Sequence, residues 1–146
     1  MWQANERYPD PAVRVLDKEF LKYRLPLASV ERLHTGCRWS EGPVWFGEHR
    51  AVIWSDIPNN RMLRWSPRDG MTVWRNGVDF TNGHTRERNG DLLHCSHGRR
   101  AILRTRCGPG GVDAAAPDEV VVGHYRGRRL NSPKPDARLT GPAPAR

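Results

Sequence analysis

Ala51-Val52-Ile53-Trp54-Ser55-Asp56-Ile57-Pro58-Asn59-Asn60-Arg61-Met62-Leu63-Arg64-Trp65 can be laid over Asp91-Leu92-Leu93-His94-Cys95-Ser96-His97-Gly98-Arg99-Arg100-Ala101-Ile102-Leu103-Arg104-Thr105 without a gap. Val52 falls on Leu92, Ile53 on Leu93, Met62 on Ile102, Leu63 on Leu103 and Arg64 on Arg104. Each copy holds two apolar runs of strand length separated by a turn cluster, and a spacing of about 40 residues with four short strands per unit marks a β-propeller blade.

Working outward from the first copy, Pro43–Phe46, Ala51–Ser55, Arg61–Trp65 and Met71–Trp74 read as strands of one antiparallel meander. The separators are Gly47-Glu48-His49-Arg50, Ile57-Pro58-Asn59-Asn60 and Ser66-Pro67-Arg68-Asp69-Gly70. Glycine and asparagine reach positive φ at little cost, and proline presets φ at the first turn position. One residue past the same offset, Glu41-Gly42 corresponds to Asn82-Gly83, where the first strand of each blade begins. First strands line the central channel, so equivalent positions converge on one axis. Carboxylate and amide oxygens there suit a hard cation such as calcium. Glu41, flanked by Trp39 and Trp45, is therefore a candidate metal ligand. For Asn82 two readings stand side by side: a site residue level with Glu41, or half of an Asn-Gly tight turn.

The 146 residues make one domain or less, with Lys+Arg 24 against Asp+Glu 16 and a net charge of +8. No apolar run approaches the roughly 20 residues of a membrane span, and the N-terminal residues lack the pattern of a secretory signal. The expectation is a cytoplasmic protein that does not associate with membranes. Cys37, Cys95 and Cys107 are odd in number and lack CxxC spacing, so reduced thiols are expected. Fourteen glycines and twelve prolines argue against a helical bundle. Val13, Val15, Leu16, Phe20 and Leu21 allow a short amphipathic turn or two within Pro11–Tyr23, in an N-terminal extension (1–30) read as covering another part of the molecule.

Other candidate chemistry is weaker. Arg99, Arg100, Arg104, Arg106, Arg126, Arg128 and Arg129 form a basic half, but without any nucleic-acid recognition pattern they read as a solvated surface. His94, Cys95 and His97 lack a second ligand cluster, and strand alternation divides them between two faces. The tryptophans read as packing, with Trp39 and Trp45 the best exceptions as a sugar-stacking surface. Asp56 and Asn60 read as turn-shaping residues. Ser132 has no His or Asp partner at a recognisable spacing.

Gly36-Cys37-Arg38-Trp39-Ser40-Glu41-Gly42-Pro43-Val44-Trp45, the run Trp54–Trp65, Phe80–Arg88 with Asn82-Gly83-His84-Thr85-Arg86, and Arg128-Arg129-Leu130-Asn131-Ser132-Pro133 resemble the gluconolactonase branch of the SMP-30/gluconolactonase/LRE-like family. The likeness runs from about Tyr8 to Pro133, with an altered stretch around Cys107–Pro117. It implies an all-β chain: a partial β-propeller (31–133) of about two four-stranded antiparallel blades out of six. It also implies a divalent metal, calcium in particular, held in part by Glu41, a sugar-lactone substrate, and metal-assisted hydrolysis to the open-chain acid; Asn82, level with Glu41 in the repeat, and Trp39, beside it, are the candidate substrate residues.

After Pro133 the family continues with an Asn-Asp pair and a strand, whereas this chain reads Lys134-Pro135-Asp136-Ala137-Arg138 and on to Arg146. Such a Pro/Ala/Arg-rich run cannot build a strand, so 134–146 is expected to be a disordered tail resembling a frameshifted or prematurely ended reading frame. Later blades would carry the remaining metal ligands and the catalytic carboxylate. Two function classes follow. One is a metal-dependent lactone hydrolase by family, inactive as this chain. The other is a noncatalytic propeller fragment that binds or self-associates through an exposed blade face.

Overall fold

The computed structural model describes residues 7–107 and 113–134. The expected C-terminal tail, apart from Lys134, lies outside the described residues. The chain divides into two compact units, Met1–Thr35 and Gly36–Arg146. Among the described residues of the first, the helical segment is a 3-10 turn at Lys18–Tyr23, where the Asp17 carboxylate accepts the Glu19 N–H at 2.8 Å. It buries none of its residues. Buried Asp10 organises this unit, accepting the Ala12 and Val30 N–H groups at 2.8 Å each.

The second unit holds two four-stranded antiparallel sheets. The first is β1 (Ser40–Phe46), β2 (Ala51–Asp56), β3 (Arg61–Ser66) and β4 (Gly70–Asn76), in that spatial order. The second is β5 (Thr81–Arg86), β6 (Leu92–Ser96), β7 (Ala101–Thr105) and β8 (Asp118–Val122), again in chain order. A two-stranded ribbon, β9 (His124–Tyr125) with β10 (Arg128–Arg129), follows. These sheets are two blades of a β-propeller.

The 40-residue offset is realised strand for strand. β2 and β3 fall on β6 and β7, and the turns between them carry a left-handed residue at equivalent places, Asn60 at φ 49° and Arg100 at φ 54°. In the turn 47–50, however, positive φ falls on Arg50 rather than Gly47. Its counterpart 40 residues on is Gly90, also at positive φ. The backbone geometry of that turn is thus kept although its glycine is not.

Blade packing follows from alternation. Phe46, Ile53, Met62 and Trp74 of the first blade form one buried cluster with Leu92 of the second. Burying such side chains stabilises by about 1.5–3 kcal/mol each, so this cluster is the main adhesive between the blades. Arg75 on β4 adds a polar staple: its guanidinium donates to Asp118 Oδ1 at 2.7 Å, the Ala116 carbonyl at 2.6 Å and Thr105 Oγ1 at 3.3 Å. Among the described residues no helix is long and apolar enough to cross a membrane.

Candidate functional site

β1 begins three residues earlier than its apolar run indicates, at Ser40, and so takes Glu41 into the sheet. Its pairing with β2 shifts register between Glu41 and Val44. Pro43 is tolerated there because a bulge on an edge strand asks for no N–H. β5 repeats the device, with its register shift between Thr81 and His84. Ser40 pairs with Asp56 and Thr81 with Ser96, and Asp56 and Ser96 are themselves 40 residues apart. Glu41 and Asn82 are therefore structurally equivalent, each the second residue of its strand. Asn82-Gly83 lies inside β5, not in a hairpin turn.

β1 and β5 sit side by side, and the contact is a glycine contact. Gly42 has φ +64°, and a methyl group on it would stand 2.7 Å from Gly83 Cα, 2.8 Å from the His84 ring and 3.0 Å from the Asn82 carbonyl oxygen. Only glycine satisfies both the backbone angle and the approach. Glu41 and Asn82, the residues just before these glycines, are thereby placed on neighbouring strands at the same end of the two blades.

The two side chains have different surroundings. Glu41 is half-buried, and among the described residues its carboxylate has no hydrogen-bond or ion-pair partner. The other strand carboxylates are all paired with arginine: Asp56 with Arg61 at 2.8 Å, Asp118 with Arg75 at 2.7 Å and Glu119 with Arg106 at 2.8 Å. Asn82 is 0% exposed. Its Oδ1 accepts the Gly83 N–H at 2.6 Å and its Nδ2 lies 2.5 Å from His97 Nε2. Trp39 is 59% exposed, with its backbone pinned by Asp56 Oδ1 to its N–H at 3.3 Å and by the Ile57 N–H to its carbonyl at 3.1 Å.

Asp56 does more than shape its own turn. Fully buried, it accepts from Arg38 N–H at 3.0 Å, Asn59 Nδ2 at 2.7 Å and Arg61 Nε at 2.9 Å, besides Trp39. Burial pushes its carboxyl upward, but these donors outweigh burial and hold it at about 2. The ion pair thus fastens the strand carrying Glu41 to β2 and β3. Of the tryptophans beyond Trp39, Trp74 is buried, Trp54 and Trp65 are half-buried, and Trp45 is exposed.

A buried histidine pair lies behind the glycine contact. His84 Nε2 is 2.9 Å from Ser55 Oγ on the other blade, its Nδ1 has no partner among the described residues, and its ring stacks on His94 at 6.1 Å. Burial first, and then the His94 charge, depress the His84 imidazole to about 3, so it is neutral at physiological pH. His94 reaches Thr105 Oγ1 at 3.1 Å and Asp118 Oδ1 at 3.4 Å. His94, Cys95 and His97 do not gather into a metal site, and no group of three His, Cys, Asp or Glu side chains able to hold a metal occurs among the described residues. Of the seven arginines of the basic half, three are salt-bridged: Arg104 with Glu87, Arg106 with Glu119 and Arg99 with Asp79. A surface depression of about 600 Å³, lined by Glu48, His49, Arg50, Arg64 and Arg68 among others, opens at the far end of β1 from Glu41.

The family model for the SMP-30/Gluconolactonase/LRE-like region matches residues 39–133. A gluconolactonase of Zymomonas mobilis is 29% identical over 118 residues, which is 71% of this chain and 31% of that protein. A pentonolactonase of Haloferax volcanii is 36% identical over 59 residues, 40% of this chain and 20% of that one. The solved structure of a gluconolactonase from Xanthomonas campestris superposes with a TM-score of 0.61 at 39% identity, covering 69% of this chain and 32% of its own. This chain therefore spans about a third or less of the length of the relatives it matches. The match takes in both blades, the paired bulges and the glycine contact between them, and the chain belongs to the SMP-30/gluconolactonase/LRE-like family.

Proposed function

We propose that the chain supplies the two opening blades of a sugar-lactone hydrolase, with Glu41 as one oxygen ligand of a divalent cation, calcium by the hardness of its donors. The observation that carries this is the unpaired Glu41 carboxylate, half-buried on an inner strand where every other strand carboxylate is matched by an arginine. A half-buried carboxylate with no cationic partner among the described residues keeps its oxygens available to a hard cation. The relatives named as lactonases supply the substrate class.

Glu41 fits as one donor, not as a whole site. Calcium takes six to eight oxygens, and the described residues bring one free carboxylate to this place. When bound, such a cation polarises a lactone carbonyl and activates water. The chain's own residues hold and orient: Glu41 by its carboxylate, and Trp39 by an exposed ring against which the apolar face of a sugar can lie. Hydrolysis then adds water across the ring ester and opens it to the acid. Turnover needs donors from outside these two blades, so the 146 residues alone are expected to bind without hydrolysing.

Terbium, a luminescent substitute for calcium, tests the ligand assignment through energy transfer from Trp39. Sensitised emission that calcium displaces and that Glu41→Gln abolishes is the expected result. Emission that is absent, or unchanged in Glu41→Gln, would refute it. Rapid opening of glucono-δ-lactone by the purified chain would refute the claim that it does not hydrolyse.

A second reading, association through a blade face, has its own observation. Ile53 and Met62 are fully buried between the blades, while their repeat mates Leu93 and Ile102 remain half-exposed. The second blade thus presents outward the surface that the first uses inward, which favours a head-to-tail contact with another copy.

A further inference from the structure

The two blades build the same backbone corner with different side chains. In the first, the Ile57 N–H donates to the Trp39 carbonyl at 3.1 Å. In the second, the His97 N–H donates to the Phe80 carbonyl at 3.4 Å. Ile57 and His97 are 40 residues apart, and each follows the second strand of its blade. The residue at the equivalent inner-strand position is Glu41 in one case and Asn82 in the other. The residue at the corner of the first blade is thus an isoleucine, whose side chain has no hydrogen-bonding group, whereas at the corner of the second Asn82 meets an imidazole.

That exchange redirects the second blade's polar reach. Asn82 is fully enclosed, and both ends of its amide are committed, Oδ1 to the Gly83 N–H at 2.6 Å and Nδ2 to His97 Nε2 at 2.5 Å. The Gly83 contact fixes which end of the amide is oxygen. Nδ2 must then face His97, and Nε2 must accept, so the neutral ring carries its proton on Nδ1. His97 is half-exposed, and Nδ1 makes no hydrogen bond among the described residues.

We infer that His97 is the group through which the second blade touches the substrate, its Nδ1–H held by the buried Asn82 as a fixed donor to a carbonyl or hydroxyl oxygen of the sugar lactone. Asn82 is then a positioning residue and not a contact. The inference rests on the lactone reading above and names a residue of the same site.

Long-range proton–nitrogen NMR on the labelled chain reads the ring directly, with His97→Gln identifying the signal among the six histidines. A pyridine-type Nε2 is expected, and Asn82→Asp, whose carboxylate can only accept, is expected to switch the ring to Nε2–H. Adding D-gluconate, the ring-opened product, should move the His97 ring signals. His97→Ala should weaken that binding about tenfold, the loss of one hydrogen bond, with His97→Gln restoring part of it. A wild-type ring already in the Nε2–H form overturns the inference even if Asn82→Asp fails to fold. Gluconate shifts at Glu41 and the Trp39 indole with His97 silent overturn the inference and leave the lactone reading intact. No shift at any of these residues overturns the lactone reading and the inference with it.

Discussion

Gly42→Ala isolates the contact that joins the blades. The new methyl meets Gly83 Cα at 2.7 Å and the His84 ring at 2.8 Å, so backbone must give way on at least one strand. Alanine at φ +64° costs roughly 1–2 kcal/mol by itself. Forcing a methyl into a close-packed seam adds roughly 1–3 kcal/mol. The sum, about 2–5 kcal/mol, is a large share of the 5–15 kcal/mol that holds a typical domain. Gly77 provides the control, since it has φ +65° with nothing within 4 Å, so Gly77→Ala carries the backbone cost alone. Urea unfolding followed by tryptophan fluorescence should show Gly42→Ala losing roughly 1–3 kcal/mol more than Gly77→Ala. In melting temperature the control should fall by roughly 3–6 °C and Gly42→Ala by roughly 3–9 °C more. Equal losses in the two variants would refute the close approach of β1 to β5, and with it the placement of Glu41 beside Asn82.

Acid should weaken the chain in two windows. His84 is depressed to about 3 when folded, so the unfolded chain binds the extra proton and stability falls as pH drops from about 6.5 towards 3. Asp56, held at about 2, contributes stability that is full above about 4 and is lost as pH falls through 2. Stability curves at stepped pH check both, and a His84→Gln chain that retains the upper window would contradict the first. Arg75→Met removes the staple from Asp118, which burial pushes up but which His94, Thr105 and Arg75 hold well below the usual carboxylate range. It should cost about 1.5–3 kcal/mol in chemical denaturation, and a neutral effect would show that the staple does not stabilise. Leu93→Arg on the outward face of the second blade should leave stability within about 0.5 kcal/mol while abolishing any concentration-dependent sedimentation of the parent chain. Association that persists would mean another surface carries it.

What was legible in the sequence came from periodicity and what was not came from contacts across the repeat. Val52 over Leu92 and Leu63 over Leu103 preserve an alternation that a sheet cannot shift by one residue without turning its faces inside out, so two equivalent strand pairs could be read without coordinates. The pairing of Glu41 with Asn82 was legible for the same reason. The bulge between Glu41 and Val44 was not, because Gly42 and Pro43 have no apolar signature. Nor was the role of Asp56, whose partners Arg38 and Trp39 lie far from it in the chain and approach only when β1 pairs with β2. The pairing of Ser55 with His84 has no local signal either, since the residues lie 29 apart on different blades.

Divergence within a conserved backbone is the step that turns these blades from scaffold into site. The corners at Ile57 and His97 share a hydrogen-bond pattern, a left-handed residue three positions on and a bulged inner strand beside them. Sheet pairing alone therefore explains the common geometry, and the differences are left to chemistry. With an isoleucine at its corner, the first blade leaves the Glu41 oxygens without a partner among the described residues. An amide opposite histidine spends its hydrogen bonds internally and hands the exposed position to the imidazole. Placing the corner residue of the second blade in the first tests this logic: Ile57→His should give Glu41 a partner and quench terbium binding in a chain that still folds. Terbium emission as strong as that of the parent would show that the availability of Glu41 does not depend on what faces it.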